Sequence, residues 1–137
     1  MPVQLEIGMD ANGLRIVHPR NGEPEFLADQ TLNGQPPAVA REDGDVYALI
    51  TRIPGPNGEG TVASFSSNLN SGTLAAVQWL TEPRLAANLY RLLKESSGAL
   101  PRYYQVALRV RFKGGVPTET IYVLHRILRP GTSVGGR

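Results

Sequence analysis

Two periodicities of apolar and polar positions run along the chain, and their order lays out its elements. Val3-Gln4-Leu5-Glu6-Ile7 alternates as a half-buried strand does, and Leu14-Arg15-Ile16-Val17 resumes the pattern. Asp10-Ala11-Asn12-Gly13 between them tolerates positive φ, so residues 1–17 read as an N-terminal β-ribbon. A ribbon of two strands is marginal alone and needs a surface to pack on. Residues 18–45 form a long loop or meander. His18-Pro19-Arg20-Asn21-Gly22-Glu23-Pro24 and Asn33-Gly34-Gln35-Pro36-Pro37 are turn chemistry, and prolines at this density block helix interiors and central strands. Structureless connections beyond about 15 residues are uncommon in compact domains. The stretch therefore serves as a lid, as a linker, or as a meander anchored by Phe26 and Leu27.

Residues 46–129 read as an α/β body. Val46 to Ile53 is nearly continuous in apolar character, which suits a strand covered on both faces. Pro54-Gly55-Pro56-Asn57-Gly58-Glu59-Gly60 breaks it, and Thr61 to Ser66 returns as the second strand of a hairpin. Ser71 or Gly72 then stands at the N-cap of a helix over Thr73 to Leu80. Leu74, Val77 and Gln78 share one stripe of that helix, and its alanines allow close approach to a sheet. Thr81 is a good N-cap for a second helix, with Glu82 at its positive end and Pro83 in its first turn. Leu85, Leu89, Leu92 and Leu93 recur at core-facing offsets until Ser96-Ser97-Gly98 ends it.

The last third carries the clearest strand signal. Tyr104, Val106, Leu108, Val110 and Phe112 alternate with Gln105, Arg109, Arg111 and Lys113, so one face turns to the core and the other to water or a ligand. After Gly114-Gly115, residues Thr118 to Leu128 return. Ile121, Val123 and Ile127 fall on one face and Tyr122, Leu124 and Leu128 on the other, a pattern that predicts a central strand with His125 as its odd member. Residues 130–137 read as a flexible tail. The expected fold class is α+β: a mixed β-sheet built from hairpins, with a helix pair packed on one face. A crossover through the helices sets the strand at 61–66 parallel to the one at 103–112.

A chain of 137 residues is long enough for one hydrophobic core, so 1–137 reads as a single domain. It has no cysteine, which excludes disulfides, thiol nucleophiles and cysteine-ligated metal centres. His18 and His125 stand far apart outside any metal-binding frame, and no metal or cofactor is expected. The N-terminus lacks the charged and apolar regions of a signal peptide, and no run is long enough for a membrane span, so the expected location is cytoplasmic, without membrane contact. The formal net charge of +2 hides an asymmetry. Residues 1–83 carry four Arg or Lys against ten Asp or Glu, for −6, whereas residues 84–137 carry ten against two, for +8. The basic half can draw an anionic partner, and the acidic half competes for it within the chain or in a second copy.

Two places carry chemistry. The turn from Ser64 to Thr73 leaves a strand, crosses small hydroxyl and amide side chains and enters a helix. Its Ser66, Ser67, Asn68, Ser71, Gly72 and Thr73 form a candidate site for an anion or small ligand at a helix start, without a dinucleotide or P-loop glycine pattern. Arg109, Arg111 and Lys113 make a cationic face that can meet phosphates in succession, but only Tyr103 offers an aromatic on it, and nucleic acid is disfavoured. Neither catalytic set is complete. Ser66, Ser67, Asp43, Asp45 and His125 lack the Gly-x-Ser-x-Gly elbow, and Glu42, Asp43 and Asp45 do not follow the calcium-loop pattern.

Val46-Tyr47-Ala48-Leu49-Ile50, Val62-Ala63-Ser64-Phe65-Ser66, the run Gly72 to Pro83 and the run Leu100 to Val110 together resemble the C-terminal α/β region of uncharacterised bacterial proteins, some of which carry an upstream winged-helix segment. The resemblance covers residues 46–128 and implies a sensor or interaction module with no catalytic residues to carry over. The expectation is a non-enzymatic ligand-binding or protein-interaction module with a regulatory role, self-associating as a homodimer or binding a protein partner or small anionic ligand. The alternatives are a small enzyme acting on an anionic substrate at the 66–73 loop, and nucleic-acid binding through the basic C-terminal half.

Overall fold

A computed structural model describes residues 3–31, 43–114 and 116–129. In chain order these form β1 (Ile7–Asp10), β2 (Gly13–Ile16), β3 (Phe26–Ala28), β4 (Gln30–Thr31), β5 (Gly44–Pro54), β6 (Thr61–Ser67), α1 (Asn70–Thr81), α2 (Pro83–Ser97), β7 (Tyr104–Lys113) and β8 (Val116–Ile127). The turn chemistry at Asn33 to Pro37, Glu42, Gly115 and the tail over 130–137 lie outside the described residues.

β5 and β7 pair antiparallel from Gly44↔Phe112 to Arg52↔Tyr104 and form the middle of a five-stranded sheet. β8 lies on the far side of β7, while β4 and β6 share the other side of β5. β6 and β7 therefore run in the same direction with β5 between them, as the crossover requires. On one face Val46, Ala48 and Ile50 of β5 and the even positions of β7 bury against Ala75, Ala76 and Trp79 of α1 and Leu89 and Leu93 of α2. The fold is α+β, a hairpin-built sheet with a helix pair on one face.

The helices differ from expectation in facing and caps. α1 turns its small residues to the sheet, since close approach leaves no room for Leu74, which is half-exposed beside exposed Gln78. Its N-cap is Leu69, earlier than Ser71 or Gly72. The N-cap of α2 is Glu82, whose carboxylate accepts the Leu85 N–H at 3.0 Å, while the Thr81 hydroxyl closes α1 by donating to the Val77 carbonyl at 2.8 Å. Gly98 ends α2 at a φ of 80°, a left-handed turn that glycine adopts without strain.

The other face of the main sheet is covered by β1, β2 and β3, which form a second antiparallel sheet. Phe26 and Leu27 belong to β3, so the 18–45 stretch contributes a strand here and β4 to the main sheet. Ile7, Leu14 and Ile16 pack on Leu49, Ala107 and Leu124. Gln105, expected to face water or a ligand, is fully buried between the sheets. Its Oε1 accepts the Glu6 and Ile7 N–H groups at 2.9 Å each, and its Nε2 donates to the Ile7 carbonyl at 2.8 Å. One side chain thus satisfies backbone groups that lack a strand partner.

β8 is an edge strand rather than a central one; among the described residues it pairs only with β7. The face assignment also changes. A register shift sets Tyr122 opposite Leu108 but Leu124 opposite Ala107, so Val123 is extra. Tyr122 accordingly packs on the helix side, whereas Val123 and Leu124 both serve the side of the small sheet. A strict period of two cannot be carried through such a bulge.

Candidate functional site

The serine-rich turn does sit at a strand end, between β6 and α1, and several of its polar groups bond within the protein. Ser66 is a half-buried ladder residue opposite Leu49. The Ser67 hydroxyl donates to the Tyr47 carbonyl at 2.9 Å, and Ser71 is buried. The Gly72 and Thr73 N–H groups both donate to the Leu69 carbonyl, at 3.1 and 3.2 Å. Gly72 has a packing reason to be glycine, since a Cβ there would lie 2.1 Å from the Ser67 Oγ. Asn68 Nδ2 donates to the Asp10 carbonyl and to Asp29 Oδ2, both at 2.8 Å, which ties the turn to the small sheet. Asp29 is itself buried, and burial pushes its carboxyl above the usual value.

The cationic row of β7 is largely neutralised by the acidic half of the chain. Asp45 faces Arg111 in the β5–β7 register and accepts from its Nε at 3.2 Å, with Arg109 Nε 3.9 Å from the same carboxylate. Arg111 also lies 3.6 Å from Glu119, and its pKa is raised chiefly by Asp45. Lys113 is exposed at the strand end. Charge that looks like a nucleic-acid face in one dimension is a cross-strand ion-pair array in three.

Sequence reasoning missed Arg126. It is the only formally charged residue between Ile121 and Leu128, and that isolation in an apolar strand is the signal that marks it. The side chain is 1% exposed and donates through both terminal nitrogens to Glu23, with Glu6 3.5 Å from its Nε. This network fastens the 18–25 loop and the approach to β1 onto β8. A cleft of about 470 Å³ runs beside it, lined by Glu6, Arg20, Glu23, His125, Arg126 and Arg129 among others. Tyr122 Oη and His125 Nδ1 are 2.6 Å apart at its border, and burial lowers the His125 pKa below its ordinary 6.5. The Arg126 charge in this cleft is already met by Glu23 and Glu6.

A different arrangement occurs where β5 ends and β7 begins. Arg52, Thr61, Arg102 and Tyr104 line a cleft of about 260 Å³ together with Tyr90, Leu100 and Pro101. A larger cleft of about 690 Å³ continues the lining with Tyr90 and Leu100 and adds Arg91, Lys94, Gly98 and Ala99. Among the described residues Arg52, Arg91, Lys94 and Arg102 make no ion pair and no carboxylate lines either cleft. Where they have partners, these are neutral: Arg52 donates to the Thr61 hydroxyl at 2.6 Å, Arg91 to Asn88 at 2.7 Å, and Arg102 lies 5.4 Å from the Tyr103 ring centroid. The Tyr104 side chain is 2% exposed, yet its hydroxyl has no hydrogen-bond partner among the described residues. Burial raises its pKa, while the Arg52 guanidinium, the polar group beside it, lowers it by donating toward the phenol oxygen, so it is the hydroxyl proton that has no acceptor among the described residues. The charge split drew attention to residues 84–137, but Arg52 belongs to the acidic half, so composition could not assemble this cluster.

The chain matches no family model, no curated protein and no solved structure. Among the described residues no helix is long and apolar enough to cross a membrane, and no group of three His, Asp or Glu side chains is placed to hold a metal ion.

Proposed function

We propose that this protein is a non-enzymatic binding module whose ligand is a small anion, taken up at the end of the main sheet by Arg52, Arg102 and Tyr104. The observation that carries this reading is the buried Tyr104 hydroxyl. A polar group removed from water without a partner is costly, and such groups in native proteins call for a water, an ion or a ligand. Tyr104 lines a cleft whose charged groups, among the described residues, are all cationic, which favours an oxyanion that reaches the phenol between the two guanidiniums. Burial raises the phenol pKa above its ordinary 10, so at neutral pH the hydroxyl is a hydrogen-bond donor to such an anion.

The anionic ligand expected at the 66–73 loop is thereby proposed instead at a site whose cations meet no carboxylate among the described residues. Titration with inorganic phosphate, followed by amide shifts, tests the reading. Shifts are expected at Arg52, Thr61, Arg102 and Tyr104, and Tyr104→Phe weakens them while leaving the rest of the spectrum in place. Shifts confined to Ser66 to Thr73, or an unchanged spectrum throughout, contradict it.

Self-association, the other expectation, finds support in the sheet edges: β6 and β8 each present an edge that no described strand covers. Pro117, the bulge at Val123 and the inward-pointing Arg126 are, however, features that discourage pairing at the β8 edge. Light scattering across a concentration series decides it, a single-chain mass throughout counting against a dimer.

A further inference from the structure

Arg52, Arg102 and Tyr104 account for an anionic group but leave their neighbours Tyr90 and Leu100 unexplained. Both are large, apolar in body, and 36% and 52% exposed. Single exposed apolar side chains are ordinary. These two are not isolated, because each lines the small cationic cleft and also the larger cleft beside it. Together they form a shared wall between a space sized for a head group and a space of about 690 Å³, which falls in the range of small-molecule sites. The left-handed turn at Gly98 leaves room where any side chain would stand, since nothing lies within 4 Å of its missing Cβ. Arg91 and Lys94 border the same space from the last turns of α2 and can lie over an aromatic face.

We infer that the ligand is an amphiphilic anion. Its oxyanion, a phosphate monoester or a carboxylate, sits against Arg52, Arg102 and Tyr104, and an aromatic body attached to it lies along Tyr90 and Leu100. Binding changes no covalent bond. The polar groups fix orientation and the apolar wall supplies the area that a bare anion lacks, the usual division of labour in a small-molecule site. This inference rests on the anion site proposed above, so the experiment separates the two.

Three probes are titrated: inorganic phosphate, phenyl phosphate and benzoate, with phenol as the neutral control. Phenyl phosphate is expected to bind roughly tenfold more tightly than inorganic phosphate, the yield of one aromatic contact and its buried area. It should add amide shifts at Tyr90, Lys94, Gly98 and Leu100 to those that phosphate produces. Leu100→Ser, at a half-exposed position outside the core, is expected to bring the affinity for phenyl phosphate down toward that for inorganic phosphate measured on the same variant. Tyr104→Phe weakens both phosphates, and phenol alone produces no saturable shifts. Benzoate with the same shifts as phenyl phosphate identifies a carboxylate as an acceptable head group, and benzoate without them restricts the class to phosphates; both support the two-part ligand. Equal affinity for phosphate and phenyl phosphate, with shifts limited to Arg52, Thr61, Arg102 and Tyr104, overturns the amphiphilic ligand and leaves the anion site standing. Failure of every probe overturns both.

Discussion

Replacing Glu23 by Gln should destabilise the protein more than replacing Arg126 by Met, although the two substitutions break the same ion pair. The asymmetry comes from burial. Arg126 is 1% exposed, whereas the Glu23 and Glu6 side chains are 21% and 26% exposed. Glu23→Gln leaves a buried guanidinium with only Glu6 at 3.5 Å and the carbonyls of His18 and His125 at 3.5 and 3.3 Å. Orphaning a buried charge costs about 3–5 kcal/mol, and the retained Glu6 reduces this to about 2–3 kcal/mol. Arg126→Met removes the charge that needed compensation, and the two glutamates can turn toward water, so the cost falls to about 1 kcal/mol.

Urea denaturation followed by fluorescence of Trp79, the single and buried tryptophan, reads both values. Acid adds a second readout. Hydrogen bonding from Arg126 holds the Glu23 carboxyl below its ordinary 4.5, so the folded chain binds fewer protons than the unfolded one in that range. The stability this contributes is fully present above about 4.5 and is lost as pH falls through the lower folded value, and Glu23→Gln should shrink that acid loss. A larger loss in Arg126→Met than in Glu23→Gln would falsify the reasoning, since it would mean that the network is valued for the arginine's packing and not for its charge balance.

Other substitutions follow from single contacts. Gly72→Ala forces a Cβ to within 2.1 Å of the Ser67 hydroxyl and 3.1 Å of Val46, and should cost about 1–3 kcal/mol in thermal melts. An unchanged melting temperature would show that the turn accommodates the methyl. Gln105→Leu strips the Glu6 and Ile7 backbone groups of their partner; a loss of about 2–4 kcal/mol is expected, with faster amide exchange at both residues. Native-like protection there would contradict the bridging role. His125, lowered by burial below 6.5, should titrate late in an NMR pH series. Its stability contribution is fully present above 6.5 and declines as pH drops toward the folded value, so flat stability across that window argues against it. Asp45→Asn should release Arg109 and Arg111 and strengthen binding of a short oligonucleotide with steep salt dependence, whereas equal binding by both forms would mean that Asp45 does not hold the row.

Local pattern alone determined much of this protein. Alternation from Tyr104 to Phe112 identified the helix-facing side of β7, and the leucines of α2 identified its buried stripe, because strand and helix periods are properties of the backbone. The hairpin order and the α+β class followed, since short connections make sequential strands neighbours. Tertiary structure decided what each polar residue does. Gln105 and Arg109 share one face of one strand, yet the first lies beneath β1 and the second reaches Asp45, because the small sheet covers only part of that face. The bulge at Val123 likewise moved His125 to the helix side, a shift that no period of two can reveal. The candidate site joins Arg52 and Thr61 of the β5–β6 hairpin to Arg102 and Tyr104, which are distant in sequence and come beside them because β5 and β7 run antiparallel and place their opposite ends together. Charge summed along a chain carries no information about which cations the fold neutralises, and that neutralisation is what leaves this end of the sheet positive.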